Sequence, residues 1–136
     1  MDVYLTKTLT GLKPLDEESE EALKRFKIGE TIKAKVSKPR NYKFHKKYYS
    51  LLKLVLENQD QYITIEELLI AIKLKLKMYD VRMSIDNKPF PVLHSISFAK
   101  MDELEFGKFY SKTLDILSCF IGVDSQDLEN ELINYY

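Results

Sequence analysis

From Asn41 to about Asn58 the apolar residues Phe44, Tyr48, Leu51, Leu52 and Val55 recur at i, i+4, i+7, i+8 and i+11. That spacing puts all five on one face of a helix and commits the face to a core. Charge constrains the other faces. Between Glu30 and Glu57 there is no acidic residue, and the interval carries Lys33, Lys35, Lys38, Arg40, Lys43, Lys46, Lys47 and Lys53. The chain as a whole is neutral, with 21 Lys and Arg against 21 Asp and Glu. Residues 1–30 hold five bases and seven acids, and residues 100–136 hold three bases and eight acids. A neutral chain sorted this way has a basic face and an acidic face, whereas a solvated helix face ordinarily mixes signs.

With 136 residues, 45% of them hydrophobic and 12% aromatic, the chain has enough apolar material for one folded domain spanning 1–136. Gly and Pro number four each, and no internal repeat is visible. One cysteine, Cys119, cannot form an intramolecular disulfide, and its neighbours Leu117, Phe120 and Ile121 give it the look of a packed core thiol. The start Met1-Asp2-Val3-Tyr4 lacks the charged and apolar regions of a signal peptide. Apolar runs such as Leu68–Ile72 are far too short to span a bilayer. These features fit a cytoplasmic protein without a membrane partner.

The residue pattern predicts an α+β fold in the order β-α-β-α-α-β-β-α-α: a small mixed or antiparallel sheet packed against several helices. Val3–Thr8 is β-prone, and Thr10–Pro14 is turn-like. Residues 16–26 begin acidic, end basic and stop before Gly29, as a helix does. Thr31–Lys38 alternates apolar Ile32, Ala34 and Val36 with lysine, which predicts a strand. Thr64-x-x-Glu67 is a capping box opening a helix to about Tyr79, although Leu74 and Leu76 alternate with lysines at its end. Val81–Ile85 and Phe90–Phe98 flank Asp86-Asn87-Lys88-Pro89 as a hairpin. Asp102-x-x-Glu105 starts a long helix with Phe106, Phe109, Tyr110, Thr113, Leu117 and Phe120 on its stripe, ending at Gly122. A last helix runs from about Asp124 to Asn134, and Tyr135-Tyr136 beyond it either dock on a partner or pack back on the chain.

The chemistry is concentrated in Arg40–Tyr49. Cations beside planar rings are the ingredients of a surface that grips phosphates and stacks bases. Lys33, Lys35, Lys38, Arg40, Lys43, Lys46 and Lys47 are the candidate phosphate contacts; His45 and Tyr49 are the candidate stacking residues. Phe44 and Tyr48 fall on the apolar stripe and belong to the core. A helix starting near Asn41 adds free N–H groups that favour anions. Catalysis has little support. His45 and His94 are the only histidines, no His/Cys/Asp set has metal-ligand spacing, and there is neither a glycine-rich phosphate loop nor a G-x-S-x-G elbow. No cofactor is expected. Acids cluster in helix first turns, where the dipole accounts for them, although the ligands of a carboxylate nuclease can be scattered in sequence.

Two blocks, Arg40–Leu52 (R-N-x-x-F-H-K-K-Y-Y at its start) and Ser95–Phe106, together with Leu5-Thr6-Lys7-Thr8 and Gly11-Leu12, resemble a family of uncharacterised phage and prophage proteins. More distantly, the element order resembles the NinB/Orf recombination proteins of lambdoid phages. In that family a Gln-Asn pair precedes the basic residues of the corresponding helix. Phe44-His45 stand there in this chain, while Lys46, Lys47 and Tyr49 match in type. The resemblance implies a homodimeric accessory protein that binds single-stranded DNA and assists recombination or replication in the bacterial host without catalysis. A second reading from composition is a phage inhibitor of a host defence system, anti-CRISPR-like, whose charged faces meet a host protein.

Overall fold

The computed structural model describes residues 2–39, 41–97 and 100–135, the Tyr135 side chain apart. Arg40 and Tyr136 therefore lie outside the described residues, and with them the docking expectation for the C-terminal tyrosine pair. Chain contacts divide the protein into two units, Met1–Val36 and Ser37–Tyr136. The fold class is α+β.

The first unit is a hairpin with a short helix. Strands β1 (Leu5–Thr8) and β2 (Gly11–Pro14) pair antiparallel, Leu5 opposite Pro14 and Thr8 opposite Gly11. Leu9-Thr10 make the turn, and Gly11 takes φ 147°, a conformation that suits glycine. Helix α1 (Glu17–Leu23) is N-capped by Asp16, whose side chain accepts from the Ser19 amide at 2.8 Å. Buried Ser19 in turn accepts from the Tyr4 amide at 2.8 Å, tying hairpin to helix.

One expectation fails here. Thr31–Lys38 is not a strand but irregular, exposed chain; Ile32 and Val36 are 48% and 72% exposed. Alternation makes a strand only where an edge accepts its backbone and a surface covers its apolar side. Neither two-stranded sheet takes the segment up as a third strand, and its apolar side chains stay uncovered. The strand that does form, β2, was obscured by a Gly-Leu-Lys-Pro sequence that reads as a turn. The observed order is β-β-α-α-α-β-β-α-α.

The second unit holds the main core. Helices α2 (Tyr42–Leu56), α3 (Ile65–Lys75), α4 (Glu103–Ile121) and α5 (Ser125–Tyr135) surround it, and β3 (Tyr79–Met83) and β4 (Pro89–Leu93) form a separate antiparallel hairpin. Tyr48, Leu51, Leu52, Val55, Leu68, Ile72, Phe106, Phe109, Leu117, Leu128 and Leu132 are all buried. Tyr48 is the hub. Its ring centroid lies 5.5 Å from Phe106, 5.2 Å from Phe109 and 6.4 Å from Tyr110. Phe44 meets Phe106 at 4.9 Å and Tyr110 at 5.3 Å. Partners advance along both helices together (Asn41 with Glu103, Phe44 with Phe106, Tyr48 with Thr113), so α2 and α4 run parallel. Burial pushes the Tyr48 hydroxyl well above the usual phenol range; its contact with Thr113 Oγ1, at 3.5 Å, opposes the rise only weakly.

Local chemistry fixes the ends. Asp102 and Glu105 form a complete capping box. At α3 only half of the box closes: Thr64 accepts from the Glu67 amide, and the Glu67 carboxylate turns to the Ile63 amide at 3.0 Å. Gln59 holds the α2–α3 loop, donating to the Leu56 and Tyr62 carbonyls and accepting from the Gln61 and Tyr62 amides. Helix α3 ends earlier than the sequence suggests. Met78 N–H bonds to Lys73 O at 2.8 Å and Lys77 N–H to Leu74 O at 3.1 Å, a Schellman closure that puts Lys77 at φ 56°. Gly122 takes the same left-handed conformation after α4, with φ 71°. Cys119 is exposed, not packed: buried Leu117 and core-packed Ile121 carry the α4 stripe, and Cys119, two residues from each, falls on the opposite face, while Phe120 is partly covered by Tyr62.

Two stability outcomes follow. Lys77→Gly removes a left-handed strain that costs an L-residue about 1–2 kcal/mol, less the entropy a glycine adds to the unfolded chain. Denaturant titration should show a net gain of about 0.5–1 kcal/mol, and a loss would overturn the assignment of that closure. Tyr48→Ala should cost about 3–5 kcal/mol by emptying the hub, while Tyr48→Phe should stay within about 1 kcal/mol because the hydroxyl contact is long.

Candidate nucleic-acid interface

Helix α2 distributes its residues over three faces. The inner face is the aromatic seam already described. His45 and Tyr49 flank it: their rings are 4.9 Å apart, and His45 lies stacked against Phe106 at 6.2 Å. Both side chains are half-buried. Their ring surface is thus shared between the core and solvent, and each presents one margin to the outside.

Lys47 has a structural partner. Its ammonium sits 2.5 Å from Glu129 Oε1 of α5, and both side chains are about three-quarters covered, with 25% and 24% exposure. The Tyr110 hydroxyl donates to the same carboxylate at 3.0 and 3.2 Å, and the Tyr110 ring lies 4.9 Å under the ammonium. This cluster joins α2, α4 and α5. The carboxylate comes from beyond residue 100, so the local charge count around Lys47 gave no sign of it.

The outer face is cationic. Lys43 is exposed, and Lys46 lies over the Tyr42 ring at 5.8 Å, three residues further on the same side. Lys53, exposed and two turns beyond Lys46, continues the row. It was missing from the candidate set, although a seven-residue step from Lys46 marks it. Lys38 is exposed just ahead of the helix. Lys33 and Lys35 are exposed in the irregular segment of the other unit, and Arg40 lies outside the described residues.

The start of α2 has no acid of its own in the first turn. Asn41 caps it, its side chain accepting from the Phe44 amide at 3.2 Å. Glu103, from the parallel neighbour α4, places a carboxylate oxygen 3.1 Å from the Asn41 amide. The anion at this terminus is thus supplied by the chain itself, which the reading of a free helix end did not anticipate. Among the described residues, no group of three or more His, Cys, Asp or Glu could hold a metal ion. No described helix is long and apolar enough to cross a membrane.

Comparison with known proteins adds a fold and a family. A solved structure described as "Structural Genomics, NinB" is similar with a TM-score of 0.51 and 15% identity, covering 88% of this chain and 87% of that one. At that identity the likeness is one of fold. No curated protein matches the chain. The family model described as "Protein of unknown function (DUF1367)" matches residues 3–71, half of the sequence, and the chain belongs to that family.

Proposed function

We propose that this is a phage-encoded, non-catalytic nucleic-acid-binding protein that assists recombination or replication, with single-stranded DNA the favoured ligand. The observation that carries the reading is the outer face of α2, where Lys43, Lys46 and Lys53 stand in a row on a stretch of chain without a carboxylate. The fold shared with NinB agrees with it. Binding is electrostatic: lysines displace counterions from phosphates, and the margins of His45 and Tyr49 offer surfaces for base stacking.

Fluorescence anisotropy with labelled single-stranded and duplex DNA tests this. If about four phosphates are neutralised, log affinity falls against log salt with a slope of about −3 on single strands. Charge reversal at Lys43, Lys46 and Lys53 together should abolish binding while the circular dichroism spectrum stays native. Retained binding would defeat the proposal. Lys47→Ala is the control from the inner network. It leaves Glu129 partly buried without its cation and should cost about 1–2 kcal/mol of stability, between the values for exposed and fully buried pairs. Its effect on DNA affinity should be far smaller than that of the triple reversal.

A further inference from the structure

Residues 101–135 hold eight acids and two bases, Lys108 and Lys112. Both bases line one open groove on α4, of about 430 Å³, together with Glu103, Leu104, Gly107 and Ser111. Four residues apart, the two lysines stand one above the other on the same helix face. Each is exposed, and neither has a carboxylate partner among the described residues. An acidic stretch of chain thus gathers its cations at one place and leaves them available.

The floor of the groove is apolar and has a gap in it. Leu104, at one end, is 69% exposed. Gly107 then leaves the helix surface without a side chain. Glycine inside a long helix is costly. The packing of the chain does not ask for it, because a Cβ at Gly107 would meet nothing within 4 Å, and its φ is not in the left-handed region. One turn further, Ser111 puts an exposed hydroxyl, both donor and acceptor, beside the gap. Glu103 is the one acid lining the groove, and its carboxylate is turned to the Asn41 amide at 3.1 Å. That contact sets one end of the groove beside the start of α2.

We infer that the α4 groove receives an unpaired base, with the adjoining phosphates on Lys108 and Lys112, and that it gives the protein a preference for single strands over duplex; the inference rests on the nucleic-acid reading above. Charge and shape select this occupant. An apolar floor with a missing side chain suits a flat ring, and ammonium groups about 6 Å apart along the helix suit successive phosphates of one strand. A duplex keeps its rings inside the stack and has none to offer, so the α2 row alone holds it. A single strand on that row can turn past Asn41 into the groove and gain both contacts.

Anisotropy of the full chain with one labelled sequence, as single strand and as duplex, provides the test, and the ratio of the two affinities is the readout. Gly107→Leu fills the gap with a good helix former where space is open, so circular dichroism should stay native. Single-strand affinity should fall about tenfold and duplex affinity by less than about twofold. Lys108→Ala with Lys112→Ala should also lower the ratio, and should reduce the single-strand salt slope by about 1.4, at about 0.7 per phosphate. Charge reversal of the α2 row lowers both affinities together. If it does so while the groove variants leave the ratio unchanged, the inference falls, the proposed function stands, and the groove is left to another occupant such as an acidic protein segment. Equal wild-type affinity for the two forms also overturns the inference alone. Binding of neither form defeats both.

Discussion

The aromatic seam between α2 and α4 is the contact on which the second unit depends. Edge-to-face and tilted rings add directional preference to burial, so the seam fixes rotation as well as separation. Tyr48 meets three rings of α4 at once, and Phe44 meets two. Once those rings are seated, the helices must run parallel and start side by side. Two positive helix ends at one place are unfavourable, and the acidic first turn of α4 relieves this. Glu103 reaches across to the neighbour's cap instead of serving only its own helix.

The same rotation separates the work of the lysines. A helix whose inner face is fixed by rings has no freedom in where its cations go. Lys47 turns toward α5, where Glu129 and Tyr110 complete a network spanning three helices. Lys43 and Lys53 are exposed on the outer face, with Lys46 half-buried over the Tyr42 ring between them. Four cations of one stretch thus serve two ends: one supports the packing, and three give the surface its field.

Most of the fold was legible because its signals are local. The α2 stripe, the Asp102–Glu105 box and the hairpin around Asp86-Asn87 each involve residues a few positions apart. What was missed depends on distant partners. Whether Thr31–Lys38 forms a strand is decided by pairing with an edge elsewhere, and alternation alone does not reveal that neither sheet takes it up. Lys47 looked like its neighbours until α5 brought Glu129 beside it, 82 residues away in sequence. Cys119 has apolar neighbours in sequence, but two residues from Leu117 and from Ile121 it falls on the other face of α4. The row formed by Lys43, Lys46 and Lys53 was visible in the spacing, since the predicted helix from Asn41 to about Asn58 already contains all three.

The position of Cys119 has a practical side. The thiol is accessible, and the sequence contains no other to compete with it. It sits sixteen residues along α4 from Glu103, a rise of about 24 Å at helical pitch. Because α2 and α4 are parallel, the start of α2 lies near the opposite end of that span. A dye attached there by maleimide chemistry would stand clear of the leading lysines yet within energy-transfer range of the start of α2.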